Sequence, residues 1–334
     1  MATRTQLKTS EGHITLSTTN QNNSTSSYLH LLPPASFDTH VHVFDPTIAP
    51  YAPNRAYTPE DAPLQSLLTF NKRISQRGSE TGIVLVQPSP YKADCTVLMR
   101  CLQELKARSI PAYAIAVVDL DTITDDELGG MHGLGVRGLR LNFQADGKRL
   151  DVGSLVGTLK TAAERIARLP GWVIQLFVPG WVWDELYECI SALPVCVIAD
   201  HLGGLKAASK LPLHLAQSPT SQPGFASLVD LARLGKVVVK VSGLYRASDH
   251  TESCFDDTRP IIQAFANEIP EQCIWGSDWP HTGEGKDRVG KGDLSKKEPF
   301  REIDDEGLLK NVREWVGGEV WEMMVRQNPG RVFR

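Results

Sequence analysis

No apolar run in the chain approaches the ~18 residues that would span a bilayer, so no transmembrane helix and no membrane partner are expected. No C-x-x-C pair occurs among Cys95, Cys101, Cys189, Cys196, Cys254 and Cys273. Reduced thiols packed as small hydrophobes are expected, in a cytoplasmic compartment. Positive charge is not in excess: 35 Lys and Arg face 39 Asp and Glu, for a formal net charge of −4. Without a basic footprint, nucleic acid is not an expected partner. No G-x-G-x-x-G or Walker A run follows a strand-like segment, which removes the usual nucleotide-binding reasons for an open doubly wound sheet. The N-terminus also lacks the continuous apolar segment of a secretion signal, so the Asn-x-Ser/Thr matches at Asn22 and Asn23 carry no weight.

What is present divides simply. Residues 1–30 are mostly Ser, Thr, Asn and Gln and read as a flexible polar arm. From residue 31 to 334 short apolar runs alternate with longer polar ones. The runs are Ser36–Phe44, Thr81–Ser89, Pro111–Asp119, Val136–Phe143, Trp172–Pro179, Pro194–His201, Lys236–Gly243 and Gln272–Pro280. Most are nearly continuous in Val, Ile, Leu and aromatics, as parallel strands covered on both faces are. Between them lie amphipathic stretches such as Cys95–Ser109 and Val156–Leu169, the latter with Leu159, Ala162, Ala163, Ile166 and Leu169 at helical spacing. Eight such alternations without a second composition regime predict an α/β fold, a single (β/α)8 TIM barrel. A polar loop is expected over His281–Lys297, an insertion over Ala207–Pro223, and helix over Asp304–Gln327.

In such a barrel, chemistry belongs at the C-terminal ends of the strands. The first run holds Asp38-Thr39-His40-Val41-His42, and an H-x-H on a strand turns both imidazoles to one face. The sixth run ends in Ala199-Asp200-His201 and the eighth in Gly276-Ser277-Asp278-Trp279-Pro280-His281. A single histidine near a strand end is more often structural than catalytic. Three imidazoles and a carboxylate converging from three strands are harder to explain that way.

FDTHVHVFDP, VLVQPSPYKAD, VRGLRLNF, ADHLGG, VKVSGLYR and WGSDWPH, in this order, resemble the amidohydrolase superfamily. More narrowly they resemble its 2-pyrone-4,6-dicarboxylate lactonase-like branch, from about Ser36 to the closing NPGRVF. The resemblance implies a hydrolase in which Asp278 is the general base, delivering water to a lactone carbonyl. It implies that His40, His42 and His201 surround that carbonyl and stabilise the oxyanion, and that no cofactor is needed. Ester hydrolysis near neutral pH requires an activated water and donors where charge develops. The same four residues, His40, His42, His201 and Asp278, are the ligands expected if one divalent ion such as Zn binds instead. A two-metal site is not expected, because Leu141-Asn142-Phe143 and Leu176-Phe177-Val178 offer no bridging Lys or Glu and no further His.

For substrate the resemblance points to Arg140, Arg246, Tyr57, Ser89, Tyr91 and His281, with Arg137 weighted towards structure. A guanidinium fork suits a planar carboxylate. The branch's further arginines are missing: Gln144 and Gly204 lie where they would stand. A small-molecule substrate less acidic than pyrone dicarboxylate, with at most one carboxylate, is therefore expected. Two other readings stand beside this one: a metal-dependent decarboxylase or C–C hydrolase of an aromatic acid, and a catalytically silent barrel that binds a small ligand. A homo-oligomer is compatible with the sequence.

Overall fold

β-Branched and aliphatic residues crowd the eight runs, and in the computed structural model each run forms one parallel strand. The structure describes residues 31–76, 81–144, 150–284 and 293–334. The arm expected over residues 1–30 lies outside them, as do residues 285–292 of the loop expected over His281–Lys297. The strands are β1 Phe37–Val41, β2 Gly82–Val86, β3 Ala112–Ala116, β4 Val136–Asn142, β5 Val173–Phe177, β6 Val197–Ala199, β7 Val237–Val241 and β8 Cys273–Trp275. Each pairs with the next in chain order, the one-way winding that βαβ crossovers produce.

The seam between β8 and β1 is closed differently. Among the described residues an isolated bridge, Val41 to Trp279, takes the place of a ladder. It is reinforced by His42 N donating to Trp279 O and Asp278 N donating to His40 O, both at 2.9 Å. Two side chains complete the stitch: Asp38 Oδ1 accepts from Ser277 N at 2.9 Å, and Thr39 Oγ1 donates to Trp275 O at 2.6 Å. The barrel therefore closes through the residues that flank and include the candidate site.

Helices α1 Leu64–Ile74, α2 Thr96–Ala107, α3 Asp125–Leu134, α4 Val152–Ile166, α5 Val182–Ala192, α6 Phe225–Arg233, α7 Arg259–Glu268 and α8 Asp305–Val316 cover the strands. Helix α4 starts a turn before its apolar periodicity, because Asp151 caps it by accepting from Gly153 N at 3.1 Å. The helix expected over Asp304–Gln327 is interrupted at Gly317, whose φ of 80° breaks the α geometry. The insertion over Ala207–Pro223 forms three single turns, at Ala208–Lys210, Leu213–Ala216 and Pro219–Ser221. Among the described residues no helix is long and apolar enough to cross a membrane.

Inside the barrel, Phe37, Val84, Val86, Ile115, Val173, Ile198, Val238 and Ile274 form one apolar cluster with Val332 and Phe333 from the C-terminus. Residues two apart on a strand share a face. Two positions beyond Val173, Ile198 and Val238 stand Gln175, Asp200 and Lys240, all fully buried. A polar layer thus lies on the apolar one, and the candidate site lies beside it.

Candidate active site

His40 on β1 and His42 just beyond its end point the same way, and their Nε2 atoms are 3.2 Å apart. His42 Nδ1 lies 2.7 Å from Val86 O. A carbonyl only accepts, so that nitrogen carries the hydrogen and His42 Nε2 is bare. His201 follows β6 in left-handed backbone, φ 52°, with Nδ1 2.9 Å from Ser242 Oγ and its ring edge-on to Phe177.

Asp278 also has left-handed backbone, φ 64°. Its Oδ2 accepts from Tyr245 Oη at 2.6 Å and Arg246 Nε at 2.8 Å. Its Oδ1 has no hydrogen-bond partner and lies 3.6 Å from both His40 Nε2 and His42 Nε2. Backbone strain of this kind persists only where the surroundings over-determine it. Here they do: a Cβ on Gly243 would come within 2.7 Å of both Asp278 Oδ2 and His201 Nδ1. The glycine lets these two candidate side chains meet over β7.

Burial would raise the Asp278 carboxyl, but the Arg246 guanidinium beside it overrides this and holds it well below the usual carboxylate range. Asp278 is therefore ionised. Burial lowers all three histidines, His201 to about 4, with the Lys240 cation adding to the effect at His40 and Arg140 at His42. The site at neutral pH is one carboxylate among neutral imidazoles.

The remaining expected residues separate into two groups. Arg140 is buried on β4, donates Nη1 to Gln87 O at 2.9 Å and leaves Nε without a partner. Tyr57 is buried close enough to act electrostatically on both Arg140 and Arg246. Arg246 holds Asp278 through Nε and reaches Tyr245 Oη and Thr282 Oγ1 through Nη2. Those two nitrogens belong to the carboxylate's cradle rather than to an open substrate fork.

Ser89 begins a half-buried turn after β2. Tyr91 Oη accepts from Asp45 N at 2.8 Å and so anchors the loop after β1. His281, φ 71°, places Nε2 3.0 Å from Asp305 Oδ1, tying the segment after β8 to α8. Arg137 bonds the carbonyls of His132 and Val136, a structural role.

Sequence reading assigns no role to Gln175, Asp200, Lys240 or Tyr245. Gln175 donates Nε2 to Asp200 Oδ2 at 2.9 Å and accepts from Lys240 Nζ at 2.7 Å. The available signal was Lys240 itself, a lone charge in the apolar run KVVVKVSG, since a lysine is almost never buried unpaired.

Spacing alone would suit a cation. Ligands 2.0–2.1 Å from one tetrahedral ion lie about 3.4 Å apart, and His40 Nε2, His42 Nε2 and Asp278 Oδ1 are 3.2 to 3.6 Å apart. Protonation opposes it, because Lys240 Nζ stands 3.3 Å from His40 Nδ1. A nitrogen that accepts there leaves the hydrogen on Nε2, where a metal would need a lone pair.

The sequence and fold have close counterparts. A family model described as amidohydrolase matches residues 37–319. A 4-sulfomuconolactone hydrolase of Rhizobium radiobacter is 32% identical over 311 residues, covering 90% of this chain and 91% of the relative. A 2-pyrone-4,6-dicarboxylate hydrolase of Comamonas testosteroni is 30% identical over 310 residues, again 90% of this chain and 91% of the relative. A crystal structure from Acinetobacter baumannii, described as a probable 2-pyrone-4,6-dicarboxylic acid hydrolase with citric acid bound, shares the fold. Its TM-score is 0.69 at 24% identity, over 90% of this chain and 99% of that one.

Proposed function

The chain belongs to the amidohydrolase family, and from that premise we propose that it is a hydrolase opening a lactone with at most one carboxylate, without a metal. One observation carries the reading. Asp278 Oδ2 is clamped by Tyr245 and Arg246, while Oδ1 is unpartnered and faces both imidazoles of β1. That oxygen takes a proton from water as the water oxygen attacks the lactone carbonyl. His40 and His201 offer hydrogen-bond donors to the oxyanion, and His42, with Nε2 bare, shapes the pocket beside them. When the tetrahedral intermediate collapses, the ring C–O bond breaks and the leaving oxygen takes the proton back from Asp278. The product acid then ionises. Relatives named as lactone hydrolases support the reaction class.

Substrate acidity follows from the cations. Arg140 keeps Nε unpartnered beside the site, Arg246 is bound to Asp278, and Gln144 and Gly204 supply no charge. A panel of neutral, monocarboxylate and dicarboxylate lactones, followed with a pH indicator, tests this directly. Monocarboxylate or neutral lactones are expected to be preferred. Turnover of pyrone dicarboxylate at a kcat/KM of ~10⁴–10⁸ M⁻¹s⁻¹ would contradict the preference. Silence on every lactone, with metal-stimulated loss of CO₂ from an aromatic acid, would favour the decarboxylase that the ligand spacing also permits.

A further inference from the structure

Lys240 is wholly buried, and the mechanism above gives it no part. Its ammonium has three hydrogens and three acceptors within reach: Gln175 Oε1 at 2.7 Å, His40 Nδ1 at 3.3 Å and Asp200 Oδ1 at 3.3 Å. Gln175 fits this arrangement in one orientation only, its amide oxygen on the ammonium and its amide nitrogen on Asp200.

Two independent lines meet at His40. From Val86 O, His42 must carry its hydrogen on Nδ1, so its Nε2 is bare. Two bare nitrogens 3.2 Å apart would repel, which puts a hydrogen on His40 Nε2. From the other side, a hydrogen on His40 Nδ1 would face the ammonium, so Nδ1 must accept. Both lines give the same tautomer.

We propose that Lys240 is a positioning residue that fixes His40 with its hydrogen on Nε2, so that His40 presents a donor to the oxyanion and withholds a lone pair from any cation. The first half of that role rests on the lactone-hydrolase reading; the tautomer does not. Asp200 marks the alternative state. Its Oδ1 lies 3.4 Å from His40 Nδ1 and 3.3 Å from Lys240 Nζ, within reach of either. Without the ammonium, Nδ1–H turns to Asp200 and Nε2 becomes bare. His40, His42 and Asp278 then form a cation site with a carboxylate behind the imidazole, as metal-bound histidines ordinarily have.

Long-range ¹H–¹⁵N correlation spectra of the wild-type protein labelled with [¹⁵N]histidine read the tautomer, with His40→Gln identifying the His40 signals. The Nε2–H pattern is expected, and an Nδ1–H pattern at His40 overturns the proposal. Calorimetric titration with zinc alone then compares the wild type with Lys240→Met. The variant is expected to bind about ten- to a hundredfold more tightly, the scale on which outer partners of a histidine ligand shift metal affinity. Equal affinity in the two proteins also overturns it. Should Lys240→Met fail to fold, the wild-type spectrum decides. A wild type that shows the Nε2–H pattern but opens no lactone refutes the proposed function and leaves the tautomer assignment standing.

Discussion

At the scale of single residues the site is an asymmetric carboxylate. Tyr245 and Arg246 take one oxygen of Asp278 and leave the other without a hydrogen-bond partner, facing His40 and His42. Asp278→Asn keeps the volume and removes the proposed base. We expect turnover to fall 10²–10⁴-fold or more with the unfolding temperature little changed, and near-normal turnover in a folded variant would refute the assignment. Arg140→Ala is expected to act on binding instead. Loss of a charge-assisted pair worth ~1.5–3 kcal/mol weakens affinity for an acidic lactone roughly ten- to a hundredfold, read as a rise in KM with kcat largely kept. Lys at that position should restore part of it, since a point charge lacks the planar fork. An Arg140→Ala enzyme that loses kcat alone would place this arginine in the chemical step. Arg246 illustrates the limit of residue-level reading. The sequence shows an arginine near a strand end, but only the fold reveals that a carboxylate from the neighbouring strand is its partner.

At the scale of elements, the eight strands were legible because each is a short apolar run and parallel strands are covered on both faces. Their order followed from the absence of anything else to place between them but helices. The polar layer inside was much less legible. Gln175 and Lys240 are continuous with apolar neighbours, and nothing local tells a buried amide from a surface one until the strands are set side by side. Glycines show the same contrast. Gly243 after β7 has φ 53° and no room for a Cβ, whereas Gly157 within α4 faces open space. Gly243→Ala should cost about 1–3 kcal/mol, the range for a strained backbone position, and should lower turnover because the displaced atoms are Asp278 Oδ2 and His201 Nδ1. Gly157→Ala should be neutral or stabilising by up to ~1 kcal/mol. Thermal unfolding and lactone turnover of the pair provide the check, and equal behaviour of the two variants would contradict the role given to Gly243.

At the scale of the whole molecule, the buried site couples stability to pH. Burial takes His201 down to about 4 and holds His40 and His42 below their ordinary value, while the unfolded chain protonates all three near 6.5. The unfolded state then binds more protons, so stability rises with pH from about 4 to 6.5. Asp38 opposes this. Burial raises it to about 6, so the folded protein keeps a proton that the unfolded chain has released, and stability falls as pH rises to that point. Three histidines against one aspartate leave a rising profile, on the order of 3 kcal/mol per pH unit, to which Asp278, held below the usual range, adds at the acid end. Unfolding temperatures at pH 4.5, 5.5 and 6.5 should increase in that order; a flat or inverted series would show that the imidazoles are not held neutral. The seam between β1 and β8 adds a matter of timing. Asp38 and Ser277, which it joins, are 239 positions apart. A nascent chain that stops short of Asp278 already carries His40, His42 and His201 but no base, however much barrel it has built. Under the proposed mechanism such a chain is chemically silent, and the cell meets the activity only after synthesis of the last strand has let the first one find its neighbour.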